Sequence, residues 1–474
     1  MTRTGTRLTA SGITALLLAF CGPAPGWAAA APTPAPPPTW QPPPVDMSLV
    51  APDSAPTPPQ RYVKKYGCLA SDTSGAVLTT EPPAQAMLDI ADAQKISTGK
   101  GVTVAVIDTG VNKQSFLTGR LTGGGDYVDP STTNNGTVDC DGHGTITAGI
   151  VAADTRGTGF GFTGVASDAN ILAIRQSSTA YLTLTSGGTP TGAGDTASLA
   201  QAIRHAVDAG ARVITTSVDE CIPVTDPAQP IQLSPADREL QATVHYAVQH
   251  NVVVVNSAGN INSGKCQKTH QNSDPDPNLV NQIQVPAVFA DDVLSVASVA
   301  PATGAVSSFS VWGPWVSVAA PGEGIVSVDP EAGRSGLANL YAEPGASRPN
   351  AIEGTSFAAP YVAGLAALLR AKYPTMTARE IMYRIESTAR HPSAPGGRDN
   401  QVGYGVIDPV AALTASIPSQ NGVPRPTTTS IKAPSVSPGN PLPIRVAVIG
   451  AGIAVVLLVA VFFLVRTRRS EKDS

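Results

Sequence analysis

The chain has 474 residues with 31 basic and 35 acidic side chains, and a net charge of −4 argues against nucleic acid as a partner. Hydrophobic residues at 42% and charged residues at 14% suit a globular protein that also carries membrane-bound or low-complexity sequence. The length could hold two or three average domains, although α/β enzymes often use roughly 250 to 300 residues as one.

The N-terminus reads as an export signal over residues 1–30. Arg3 and Arg7 precede the uncharged stretch Leu8 to Phe20, and Ala28 to Ala30 offer small residues for cleavage. Cys21 raises the alternative of a lipid acceptor, but Phe20 stands before it where a small residue is expected. The 43 prolines crowd residues 32–59 and 418–443, and so mark the ends of a domain. Residues 31–84 form a proline-rich extension, too rich in proline over 31–60 for helix or central strand.

A body follows over residues 85–415. Apolar runs predict strands at Val102 to Ile107, Ile171 to Ile174, Val213 to Ser217, Val252 to Asn256 and Val293 to Ser298. Helical patterns fall at His143 to Ala153, Thr196 to Ala209, Pro235 to His250, Ser356 to Ala371 and Thr377 to Ser387. Continuous Val/Ile runs alternating with helices predict an α/β fold, a doubly wound and mostly parallel sheet covered on both faces. Residues 176–195, rich in Ser, Thr and Gly, read as a mobile surface loop. Residues 416–445 read as a stiff proline-rich stalk.

Val446 to Val465 carries no charge and as a helix would span about 30 Å, which predicts one C-terminal transmembrane helix. Arg466, Arg468 and Arg469 put the tail, residues 466–474, in the cytoplasm and almost all of the protein outside. Cys68, Cys140, Cys221 and Cys266 remain after signal removal, an even number that suggests two disulfides. Of the three possible pairings, Cys68–Cys140 and Cys221–Cys266 close the shorter, non-crossing loops. A metal site is the rival reading, but no cysteine has a second cysteine within two to four residues.

Three short motifs carry the chemistry. Val104 to Gly110 ends an apolar strand on Asp108, Asp141-Gly142-His143-Gly144-Thr145 opens a helix on His143, and Gly354 to Pro360 opens one on Ser356. A serine hydroxyl needs a base within reach, and an imidazole held by a carboxylate is such a base. Ser356 at a helix start gains from the dipole, and Pro360 is expected within the first turn. Ser257-Ala258-Gly259-Asn260 follows a strand, which makes the Asn260 amide a candidate oxyanion donor beside the Ser356 N–H. His205, His245, His250, His270 and His391 lack such surroundings and read as surface residues.

These motifs, in the order Asp…His…Ser, resemble those of subtilisin-family serine proteases over residues 85–415. The wider layout of signal, extension, paired cysteines, stalk and single span resembles the mycosins, membrane-anchored subtilases associated with type VII secretion systems. The resemblance implies an endopeptidase with Asp108, His143 and Ser356 as catalytic triad and Asn260 as oxyanion donor. It also implies a protein or peptide substrate, a secretion-system membrane complex as partner, and no cofactor. Many subtilases line the cleft with Ser-Leu-Gly, whereas Ser217, Val218 and Asp219 stand here ahead of Glu220 and Cys221, which implies an unusual substrate range. The extension is short for a separately folded inhibitory prodomain and is expected to wrap the surface, tied down by Cys68. No acidic loop has calcium-binding character; Asp274 and Asp276 are the nearest candidates. Two other readings are an interaction subunit holding a membrane complex together and a general scavenging protease.

Overall fold

Seven short runs of β-branched and small residues build the central sheet: β1 (Thr103–Asp108), β2 (Leu121–Asp126), β3 (Asn170–Arg175), β4 (Val213–Thr216), β5 (Val253–Ser257), β6 (Val293–Val299) and β7 (Val318–Pro321). In this computed structural model the described residues are 40–73, 79–130, 135–183, 190–217, 220–226, 229–261, 263, 265–267, 271–272, 280–342 and 344–417. The expected export signal, most of the stalk, the membrane span and the tail lie outside them, as do Cys21, Val218, Asp219, His270, Asp274 and Asp276. Among the described residues no helix is long and apolar enough to cross a membrane.

The strand order is β7-β6-β5-β4-β1-β3-β2, and every neighbouring pair is parallel. From β1 the chain crosses to β2 at the sheet edge, comes back to β3 between them, then passes to the other side of β1 for β4 to β7. The switch between β1 and β4 leaves a crevice at the carboxyl edge, where α/β sheets place their sites. Asp108 ends β1 there.

Alternate residues of each strand feed two separate cores. Val104 and Val106 of β1 join the core under α1 (His143–Ala152), α4 (Thr355–Lys372) and α5 (Ala378–Thr388). Ala105 and Ile107 join the core under α2 (Thr196–Asp208) and α3 (Pro235–Gln249). Burial on both faces explains why these strands read as unbroken apolar runs. Asp195, Ser234 and Thr377 start α2, α3 and α5 with reciprocal capping boxes.

The extension crosses the surface in extended form. Trp40 packs edge-on to Trp315, and the Pro43 and Pro44 carbonyls accept from Arg238 and Gln241 of α3. Tyr62–Lys64 then pairs antiparallel with Ser178–Thr183, and Ala70–Asp72 pairs with Leu340–Ala342. Between the two strands a disulfide joins Cys68 to Cys140, and Leu69 N–H donates to the Cys140 carbonyl. A second disulfide joins Cys221 to Cys266.

Residues 176–195 therefore differ from the surface loop expected of their composition. Ser178–Thr183 and Gly192–Ala193 are strands in one small sheet with Tyr62–Lys64. The partner strand comes from the far N-terminus, so no local pattern announces it.

Candidate active site

Asp108, His143, Asn260 and Ser356 line one cleft of about 650 Å³, in company with Ser217, Glu220, Tyr341, Glu353 and Phe357. The elements that bring them there are β1, α1, the turn after β5, and α4. Glycine makes the convergence possible. A Cβ on Gly144 would lie 2.1 Å from the Gly110 carbonyl and 3.1 Å from Asp108 Cβ, so only glycine lets the start of α1 press on the end of β1. Gly354, at φ +150, opens α4 in a backbone conformation that side-chain-bearing residues rarely adopt, and a Cβ there would stand 2.9 Å from Ser356 Oγ.

The Asp108 carboxylate is buried and its Oδ1 accepts from His143 Nδ1 at 2.8 Å and from Thr109 N–H at 2.7 Å. That bond fixes the imidazole so that Nε2 is the nitrogen left for a reaction partner. The His143 ring lies 4.7 Å from the Phe357 ring, centroid to centroid, and Phe357 meets Tyr341 edge-on. Ser356 is the second residue of α4. Its N–H is one of the four at a helix start that have no intrahelical acceptor.

Asn260 is turned by a specific pair of bonds. Its Oδ1 accepts from Thr355 N–H at 2.9 Å and from Thr355 Oγ at 3.1 Å. With the oxygen held by Thr355, the NH2 end is the donor end, on the opposite side of the amide. An N–H pair of this kind, one from an amide and one from a helix start, suits a developing oxyanion.

Pro360 differs from expectation. It is the sixth residue of α4, beyond the first turn. There it lacks the N–H that would donate to the carbonyl of residue 356. The helix tolerates this because its sides are packed in the main core, with Phe357 to Leu369 almost wholly buried.

Asp139, which the motifs did not single out, ties β1 to α1. Its Oδ1 accepts from Thr109 Oγ at 2.8 Å and Gly142 N–H at 2.6 Å, and its Oδ2 from Thr145 N–H at 2.8 Å and Thr145 Oγ at 2.6 Å. Thr109 Oγ in turn accepts from Gly144 N–H at 3.0 Å. The available signal was a short acid three residues before Gly142, where a side chain can take up helix-start donors. Burial pushes Asp139 up to about 6, with neighbouring Asp141 adding to the rise and the Thr145 and Thr109 hydrogen bonds opposing it.

A carboxyl raised in the folded state contributes stability that is present below pH ~4 and lost as pH rises through ~6. The stability of the protein relative to its Asp139→Asn variant is therefore expected to fall by about 2 kcal/mol from pH 4 to pH 6, read from urea midpoints along that range.

The other candidates separate. Ser217 lines the cleft, and Val218 and Asp219 lie outside the described residues. Cys68, Cys140, Cys221 and Cys266 form the two disulfides. His205, His245, His250 and His391 stay away from the cleft, with His245 held by Asp292. Among the described residues no cluster of three or more His, Cys, Asp or Glu side chains is placed to hold a metal ion. Thr179, Tyr341 and Glu353 line the cleft without having been predicted. They reach it through strand pairing or from the segment before α4, neither of which is a sequence pattern.

The model of the subtilase family matches residues 99–405. Mycosin-1 of Mycobacterium tuberculosis is 43% identical, over 80% of this chain and 83% of the relative. A crystal structure of MycP1 from the ESX-1 type VII secretion system matches with a TM-score of 0.71 and 39% identity, covering 80% of this chain and 97% of that one. A chain in an intact ESX-5 inner membrane complex matches with a TM-score of 0.71 and 34% identity, over 89% of this chain and 99% of that one.

Proposed function

The chain belongs to the subtilase family of serine proteases and is similar to the mycosins, and on that premise we propose that Asp108, His143 and Ser356 form its catalytic triad. The observation that carries the proposal is the His143 Nδ1–Asp108 Oδ1 bond of 2.8 Å in a cleft that Ser356 also lines. His143 takes the Ser356 proton as Ser356 Oγ attacks the scissile carbonyl, and returns it to the leaving amine. Asp108 holds the tautomer and stabilises the imidazolium that forms. The Asn260 amide and the Ser356 N–H receive the negative charge on the carbonyl oxygen. Water then repeats the attack and frees Ser356.

Replacing Ser356 by Ala abolishes peptide cleavage and labelling by a fluorophosphonate probe; labelling that persists overturns the assignment. Replacing Asn260 by Ala lowers kcat about 10² to 10³-fold with KM nearly unchanged, in steady-state kinetics on a fluorogenic peptide.

We further propose that the catalytic body is extracytoplasmic and single-pass anchored by residues 446–465, and that it serves a type VII secretion system. Support comes from the likeness to MycP1 and to a chain of the ESX-5 inner membrane complex, together with two disulfides that persist in oxidising compartments. A structural role within such a complex is a second reading, favoured by the 89% of this chain that the complex's subunit matches. Complementing a deletion strain with the Ser356→Ala protein separates the two. Restored secretion makes the structural role sufficient, and absent secretion with normal protein levels makes proteolysis necessary.

A further inference from the structure

The charge in the cleft is one-sided. Asp108, Asp141, Asp195, Glu220 and Glu353 line it, and among the described residues no Lys or Arg does. Four of these carboxylates are already engaged by the chain itself. Asp108 holds His143. Asp141 accepts from Ser178 Oγ and from the N–H and hydroxyl of Thr179. Asp195 caps α2 through the Ser198 N–H at 2.7 Å. Glu220 meets Lys265 Nζ at 2.6 Å.

Glu353 is different. It is exposed, between buried Ile352 and buried Gly354, and stands three residues before Ser356. The backbone on both sides is fixed: Ile352 N–H donates to the Asn339 carbonyl and Gly354 N–H to the Gly322 carbonyl. An exposed side chain between two anchored, inward-facing neighbours is directed into the cleft that Glu353 lines.

We propose that Glu353 is a specificity-determining residue that selects a basic side chain, Lys or Arg, close to the scissile bond of the peptide substrate. The inference rests on the proteolytic reading of the site. A cleft lined by one sign of charge focuses its field on an entering cation, and a carboxylate with no partner among the described residues forms its ion pair when substrate arrives. Arginine suits it best, because the guanidinium fork can engage both carboxylate oxygens. The preference belongs to substrate binding, so it weakens as salt screens the pair.

The test is a fluorogenic octapeptide library scanned position by position with full-length protein in detergent, comparing Arg with citrulline at each site. Wild-type protein is expected to favour Arg about 5-fold in kcat/KM at one position flanking the cleaved bond. Glu353→Gln should bring that ratio near 1, and Glu353→Lys should favour Glu at the same position. Wild-type cleavage with no basic preference overturns the inference, and so does a preference that survives in Glu353→Gln. Absence of both cleavage and fluorophosphonate labelling in the wild type instead overturns the proteolytic reading beneath it.

Discussion

Replacing Asp108 by Asn is expected to lower kcat by about 10⁴ while KM and the melting temperature change little. The reason is a proton. Asp108 Oδ1 now accepts from both His143 Nδ1 and Thr109 N–H, which keeps the imidazole proton on Nδ1. An asparagine can keep its oxygen on Thr109 and turn its NH2 toward His143. The ring then has to accept at Nδ1 and carry its proton on Nε2, where it can no longer receive one from Ser356. Steady-state kinetics with a thermal melt checks this, and a variant that retains more than about a tenth of wild-type kcat removes Asp108 from the mechanism.

Removing the Cys68–Cys140 disulfide by a double Ser substitution is expected to cost about 4 kcal/mol, since it closes a separation of 72 residues. The melting temperature should fall by roughly 10 °C. Removal of Cys221–Cys266, with a separation of 45 residues, should cost nearly as much. Activity is what distinguishes them. Cys140 sits between Asp139 and Asp141, three residues before His143, whereas Cys221 and Cys266 pack with Ile261 and Val311. Loss of the first bridge should therefore lower kcat measured well below the melting temperature, through the loop that carries Asp139. Equal kcat in the two variants would show that the bridge stabilises without positioning.

The sheet was legible where strands are buried on both faces. The five predicted strands, now β1 and β3 to β6, are runs of Val, Ile and small residues, and their bounds shift by only a residue or two. The two missed strands, β2 and β7, are the edges of the sheet. One is a glycine run and the other only Val-Ala-Ala-Pro, so neither carries a strand pattern. The helices were legible because their caps and apolar faces are local. The proposed trio and Asn260, which share one cleft, could be singled out because each sits at an element boundary with its glycines beside it. Asp139 and Glu353 were not, since Asp139 bonds to neighbours that the fold brings together and Glu353 reaches the cleft through the packing of the segment before α4.

The strap from residue 62 to residue 72 has a temporal consequence. Its two strands pair with two segments that line the cleft, Ser178–Thr183 through Thr179 and Leu340–Ala342 through Tyr341. A ribosome or a translocation pore delivers the strap first and its second partner long afterwards. His143 is therefore delivered into an unfinished cleft, and Ser356 is later still. The nascent chain spends most of its emergence without a complete cutting site, and is armed only when its last third arrives.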